Sequence, residues 1–294
     1  MKTAYRARNV LPRAMGPVLK DAVVVVDGDL IESVGQEIPE KCKPIDLGEV
    51  TLMPGLIDSH VHLMWSGEGA DPDALRRSES KNLGMVRMAK NAKQTVAAGI
   101  TTCRDTGSPT EMILALRKAL DLGLIPGPRV ICAGTLITMT GGHVHTISRE
   151  ADGPDEVRKA SRELIKAGAD FLKVVASGGI YGRGEEIGSL QFDLDELSAA
   201  VHEACKVGKK VAVHVYPSKG IEASLDAGVH SIEHGSFLTP ELAKRMALTG
   251  VYLVPTLSVF RAMYDKQDDP STLDYIKRKT AQVVEASRNA VRIA

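Results

Sequence analysis

The strongest constraint on this chain is an alternation of short apolar segments with helical stretches that begins at Pro54. Strands are expected at Leu56–His62, Ile100–Arg104, Arg129–Ala133, Phe171–Ala176, Lys210–Val215, Val229–His234 and Tyr252–Thr256. Helices are expected at Lys81–Ala98, Thr110–Leu122, Gly153–Ala167, Leu194–Val207, Ser218–Ala227, Pro240–Leu248 and from Thr272 to the end. Five of them run into a glycine (Gly99, Gly123, Gly168, Gly208, Gly228), the residue that best ends a helix. Near-continuous apolar strands alternating with helices imply a parallel sheet covered by helices. No Gly-x-Gly-x-x-Gly follows the first strand of the repeat, which weighs against a dinucleotide-binding doubly wound sheet. The count fits an α/β chain of the (β/α)8 TIM-barrel type with its eighth unit missing. Seven units would leave two parallel edges unpaired, and Arg292-Ile293-Ala294 falls inside a helical pattern without a cap. A truncated or incompletely represented barrel is therefore expected over residues 54–294.

Residues 1–53 have a different grammar. Asp21–Val26 is β-branched, Asp27-Gly28 signals a turn, and Leu30–Val34 and Thr51–Met53 complete a set of short strands. This segment is expected to be the N-terminal part of a small β-sandwich. Lys+Arg and Asp+Glu each total 37, so net charge gives no case for nucleic acid or an anionic membrane. Cys42, Cys103, Cys132 and Cys205 are scattered, as in a reducing compartment. The first ten residues contain no apolar signal core, and Ala22–Val26 is too short to span a bilayer. A cytoplasmic enzyme is the expectation.

The first strand of the repeat ends in His60-Val61-His62. Residues i and i+2 of a strand point to one side, so both imidazoles should project together from its C-terminal tip. Two neutral imidazoles on one point make half a site for a divalent metal. In a (β/α) barrel the active face lies at the C-terminal strand ends. Lys173 in the fourth strand, His214 in the fifth and His234 at the end of the sixth fall there too. A buried lysine is rare, and burial drives it toward the neutral amine. A neutral amine can add CO2, which would make Lys173 a carbamate able to bridge two cations. The ordinary alternatives are a snorkelling lysine or one paired with Asp170.

His60, His62, Lys173, His214 and His234, on strands one, four, five and six, resemble the amidohydrolase superfamily. The segments Met53–His62, Lys173–Gly179 and Ser231–Gly235 look like its imidazolonepropionase-related branch, which includes Xaa-Pro and related dipeptidases. The resemblance implies two divalent ions, zinc being the first choice among Zn, Mn, Co and Fe. His60 and His62 would hold one ion, His214 and His234 the other, with carbamylated Lys173 as the bridge. It implies amide hydrolysis by a metal-bound hydroxide, with a strand-eight aspartate as general acid/base. No residue here takes that role; Asp58, Asp105 and Asp170 sit elsewhere on the repeat.

His143, in Thr140-Gly141-Gly142-His143, is similar to a substrate-contacting Gly-Gly-His loop of these dipeptidases. Tyr216, two residues after His214, resembles their His-x-Tyr pattern and would hydrogen-bond the scissile carbonyl or a carboxylate. Arg183, in a glycine-rich loop, would clamp a substrate carboxylate, the commoner alternative being a loop arginine that is simply solvated. Trp65 would wall the pocket or pack in the core; His202 and His230 read as structural or exposed. The expected substrate is a small molecule, a dipeptide or N-acyl amino acid. A cyclic-amide hydrolase is the first alternative, and a non-catalytic metal-binding barrel fragment the second. Homo-oligomers are expected, as is common for such barrels.

Overall fold

The computed structural model describes residues 2–65, 67 and 77–294. The chain divides into two compact units, Met1–Leu56 and Ile57–Ala294.

The first unit is a single five-stranded sheet. Its strands are β1 (Thr3–Val10), β2 (Leu19–Asp27), β3 (Leu30–Gly35), β4 (Lys43–Asp46) and β5 (Thr51–Leu52). The β2–β3 hairpin turns at Gly28, in the left-handed region with φ 58°. β1 is the central strand, antiparallel to β2 and parallel to β4 and β5. It was not expected from the sequence, because Arg6, Arg8 and Asn9 interrupt its apolar residues. Ala4, Ala7 and Val10 are nevertheless buried against Ala22–Val25. A sandwich needs a second sheet facing this one, and the described residues supply one layer only.

The second unit carries the parallel repeat. Its strands are β6 (Leu56–Val61), β7 (Ile100–Asp105), β8 (Arg129–Cys132), β9 (Leu136–Thr138), β10 (Ser148–Glu150), β11 (Leu172–Val175), β12 (Val211–Val215), β13 (Ser231–His234) and β14 (Tyr252–Val254). Two sheets form, β6-β7-β8 and β10-β9-β11-β12-β13-β14. They part after the third expected strand, which forms as β8, because an unexpected short strand, β9, follows it and pairs elsewhere. β8 pairs with β7, the chain then steps over Gly134 at φ 72°, and β9 pairs with β11. No strand among the described residues joins β14 to β6. The array is nonetheless curled, since His60 of β6 reaches Glu233 of β13 across its interior at 2.6 Å.

Helices α1 (Lys81–Ala97), α2 (Thr110–Asp121), α3 (Gly153–Ala167), α4 (Leu194–Cys205), α5 (Ser218–Asp226), α6 (Pro240–Thr249), α7 (Leu257–Tyr264) and α8 (Asp274–Ile293) alternate with the strands. α7 was not expected; it follows Thr256, whose φ of 49° turns the chain out of β14. α4 starts on a capping box, Asp193 with Glu196, which satisfies backbone donors that the helix cannot. Outward residues Leu172, Val174, Val211, Val213 and Val215 bury against α3 to α6 and form the largest core. That leaves the inward residues of the same strands free for chemistry. None of the described helices is long and apolar enough to cross a membrane.

Candidate active site

Strand alternation delivers most of the site. Asp58 and His60 of β6, and His62 just after it, lie on one side, as do Lys173 of β11 and His214 of β12, and all line one cleft. The His60 and His62 ring centroids are 5.3 Å apart, His60 and His234 5.0 Å, and His214 and His234 4.6 Å. Glu233 and His234 are neighbours, so a regular strand would put them on opposite faces. His234 instead has φ 72° and turns inward beside Glu233. Val144 and Thr256, with φ 52° and 49°, line the same cleft. Left-handed backbone is strained for β-branched residues, and such strain gathers at working sites.

Each histidine is held from behind. His60 Nδ1 pairs with Glu233 Oε2 at 2.6 Å, and His62 Nδ1 donates to Gly107 O at 2.7 Å. His234 Nδ1 pairs with the Thr256 hydroxyl at 2.8 Å. These bonds leave the Nε2 atoms for the cleft, the arrangement that orients a metal-binding imidazole. His214 differs, because its Nε2 stands 3.4 Å from Gly178 O. Burial, then neighbouring positive groups, lowers the pKa of all four rings, that of His62 to about 3. They are neutral, the form that binds metal.

Lys173 is 1 % exposed and its Nζ has no hydrogen-bond partner among the described residues. Asp170, the partner considered from sequence, is taken by Arg117 at 2.6 Å and by Cys132 N at 2.8 Å. Burial pushes the Lys173 amine down to about 7, against the pull of Glu233. Burial also opposes ionisation of Glu233, but Lys173, His60 and Arg104 outweigh it and hold the carboxyl at about 2. Arg104 Nη2 donates to Glu233 Oε1 at 2.6 Å, and Ser231 Oγ donates to the same oxygen at 2.7 Å.

His143 is buried, its ring stacked on His214 at 4.6 Å. Its Nδ1 pairs with Glu185 Oε1 at 2.6 Å and its backbone N–H donates to Gln191 Oε1 at 2.9 Å. Tyr216 packs edge-on to His214 at 5.1 Å, and burial pushes its phenol up, so the hydroxyl stays protonated. Trp65 sits 4.3 Å from the His62 ring, as a wall of the cleft. Arg183 is not in this cleft; it is exposed and lines an adjoining cavity with Tyr181 and Glu185. The main cleft holds about 380 Å³, with Ile180, Phe260 and Met263 on its apolar side.

Glu233, Arg104, Glu185 and Thr256 were missed from sequence. Glu233 carries one signal, its place beside His234, but a regular strand would face it away from that histidine. Asp105, set aside as no acid/base, accepts from Leu63 N at 2.8 Å, Ser108 Oγ at 2.9 Å and Gly107 N at 3.2 Å. It pins the turns that set His62, while burial raises its pKa to about 6.

Among the described residues, no three His, Cys, Asp or Glu side chains form a ready-made metal cage. The donor chemistry still fits divalent ions, with four neutral imidazoles converging beside a buried amine that no described residue hydrogen-bonds.

The neutral histidines set a sign for stability against pH. In the unfolded chain each takes a proton below about 6.5, while the folded state resists protonation. Their stabilisation is full above that pH and is lost as pH falls through it. Asp105 acts in the opposite sense between about 6 and its ordinary 3.8, one group against four. The urea midpoint of metal-free protein should therefore drop between pH 7.5 and 5; a midpoint that holds or rises would contradict neutral buried rings.

A model of the amidohydrolase family matches residues 51–293. An ochratoxinase of Aspergillus niger is 30% identical over 280 residues, covering 83% of this chain and 56% of its own length. An imidazolonepropionase of Arthrobacter sp. (strain FB24) is 28% identical over 246 residues, 76% of this chain and 57% of the relative. The chain thus spans a little over half the length of these curated relatives. A solved prolidase, complexed with N-methylphosphonate-L-proline, superposes with a TM-score of 0.90 at 29% identity, covering 100% of this chain and 75% of that one. Fold neighbours of this kind make the parallel array TIM-barrel-type.

Proposed function

Since this chain belongs to the amidohydrolase family, we propose that the protein hydrolyses the amide bond of a dipeptide or N-acyl amino acid in a divalent-metal-dependent reaction. One observation carries the metal reading: the buried Lys173 amine, with no hydrogen-bond partner among the described residues, amid four neutral imidazoles. With a pKa near 7, part of that amine is neutral at physiological pH and can add CO2, releasing a proton and leaving a carbamate. His60, His62, His214, His234 and carbamylated Lys173 would hold the ions. Such ions supply Lewis acidity and water of lowered pKa.

The remaining roles belong to the chain's own groups. The protonated Tyr216 hydroxyl donates a hydrogen bond to the scissile carbonyl, where charge develops. His143, held by Glu185, contacts the substrate beside it. Trp65, Ile180 and Phe260 exclude water and favour an apolar side chain or ring. Arg183, one cavity further out, takes a carboxylate that projects from the cleft. The strand-eight aspartate of the resemblance corresponds to no residue here, so the activity is proposed for the whole protein.

The ochratoxinase and prolidase likenesses favour an exocyclic amide. A ring-opening amide hydrolase would give Lys173 no evident use. The test is divalent metal per chain in the whole protein, with a Lys173→Met control and a library of dipeptides and N-acyl amino acids. About two ions, lost with Lys173, together with amide turnover would support the proposal. One ion insensitive to Lys173 would favour the cyclic-amide reading, and no ion would end both.

Gly179 supplies a second test. A Cβ there would run into the His143 ring, closer than real Cβ contacts come, although the backbone itself tolerates alanine. Gly179→Ala should displace His143 and lower kcat/KM about a hundredfold, with metal content unchanged. Unaltered kinetics would remove His143 from the substrate's surroundings.

A further inference from the structure

The loop that carries Gly178, Gly179 and Glu185 touches two site histidines, and α8 grips it. Lys279 of α8 is 0% exposed, a second fully buried lysine. Its Nζ donates to Gly179 O at 3.1 Å and to Gly182 O at 2.6 Å, and lies 5.5 Å from the Tyr275 ring centroid. One turn away, Tyr275 Oη donates to Tyr181 O at 3.1 Å. On the outer side Arg278 pairs with both Glu186 oxygens, at 2.6 and 3.0 Å. Three residues of α8 therefore hold residues 179–186. Ile180 and Ile187 pack with Ile276 and Val283 of α8, and with Tyr216 and Phe260, in one apolar cluster.

The other side of this loop is the site. Glu185 pairs with His143, and Gly178 O faces His214 at 3.4 Å. Glycines, lacking a Cβ, otherwise leave a loop conformationally free. Two of their carbonyls here accept from one ammonium, which no water reaches.

We propose that Lys279 is a positioning residue for the substrate pocket: through Gly179 and Gly182 it fixes the loop that holds His143 over the cleft. Burying an ammonium is unfavourable unless it is hydrogen-bonded, and charge-assisted bonds to two carbonyls are the strong kind. The grip is thus stiffer than the exposed Arg278–Glu186 pair beside it. The kinetic consequence rests on the function proposed above; the structural consequence does not.

The experiment compares Lys279→Met with a Tyr275→Phe/Arg278→Gln double variant, in the whole metal-loaded protein. Three quantities are read: hydrogen exchange of amides 178–187, the 15N shifts of the His143 ring, and KM with kcat on the best amide of the library. Lys279→Met should speed loop exchange and shift His143 Nδ1 as its bond to Glu185 loosens. It should raise KM about tenfold with a smaller change in kcat and unchanged metal content. If Lys279→Met does not fold, Lys279→Gln, which keeps a shorter neutral donor, carries the same readouts with smaller changes, the Tyr275→Phe/Arg278→Gln variant serving as the comparison. Unchanged exchange, His143 shifts and KM in the folded Lys279 variant would overturn the proposal. A wild-type protein without amide turnover would sink the proposed function, while exchange and 15N shifts would still decide the role of Lys279.

Discussion

Replacing Lys173 with methionine is expected to remove activity while making the metal-free protein more stable. The amine is buried, unpartnered and held near pKa 7 by burial. An unsatisfied buried polar group costs about 1–3 kcal/mol, and methionine fills similar space without it. Metal-free Lys173→Met should therefore unfold at higher urea concentration than wild type. The advantage has a pH signature. Between about 7 and the ordinary 10.5, the unfolded lysine holds its proton while the folded one has released it. Wild-type stability rises with pH across that window on account of Lys173, so the variant's lead should shrink from pH 7 to pH 9.5. In the loaded protein the effect reverses. Losing several kcal/mol of transition-state stabilisation by metal corresponds to about a thousandfold or more in rate. A variant that keeps full metal and turnover, or whose metal-free form is weaker than wild type at pH 7, would refute this account of Lys173.

The second large effect is expected at Glu233. Its carboxylate is fully buried and faces His60, Arg104 and Ser231, with Lys173 nearby. Glu233→Gln keeps the shape and removes the charge, leaving the Arg104 guanidinium without its counter-ion. Breaking a buried ion pair from one side costs about 3–5 kcal/mol, which lowers Tm by on the order of 10 °C in a chain this long. Arg104→Met alone should cost less, because Glu233 keeps His60, Ser231 and Lys173. The Arg104→Met/Glu233→Gln pair should lose less than the sum of the singles, and strict additivity in a double-mutant cycle would deny the coupling. Glu233 also has a defined pH window. Its stabilisation is present above about 4.5 and is lost as pH falls toward 2, a slope the glutamine variant should lack.

These two residues mark how far sequence reasoning reaches. Lys173 was legible because a lysine in an apolar strand, unremarkable alone, stands out beside histidines at the ends of other strands. Glu233 was not. Alternation assigns it to the face opposite His234, and only the left-handed φ of His234 brings both inside. Its partners His60 and Arg104 lie 173 and 129 positions away. Arg183 shows the converse. A loop arginine among glycines reads as a carboxylate clamp, yet its loop places it outside the histidine cleft.

The sequence by itself determined the alternating strands and helices, the side on which His60 and His62 emerge, and the family resemblance. Each of these follows from periodicity between near neighbours, which local sterics and burial impose. The tertiary structure decided the rest. It made the polar-looking Thr3–Val10 a central strand, added β9 beyond Gly134 to carry the pairing on to β11, and turned His234 inward. It also bound the 179–186 loop to α8 through Lys279. These features depend on contacts between residues far apart in the chain. Which distant donor meets which acceptor is settled only when the fold buries them together and water can no longer satisfy either.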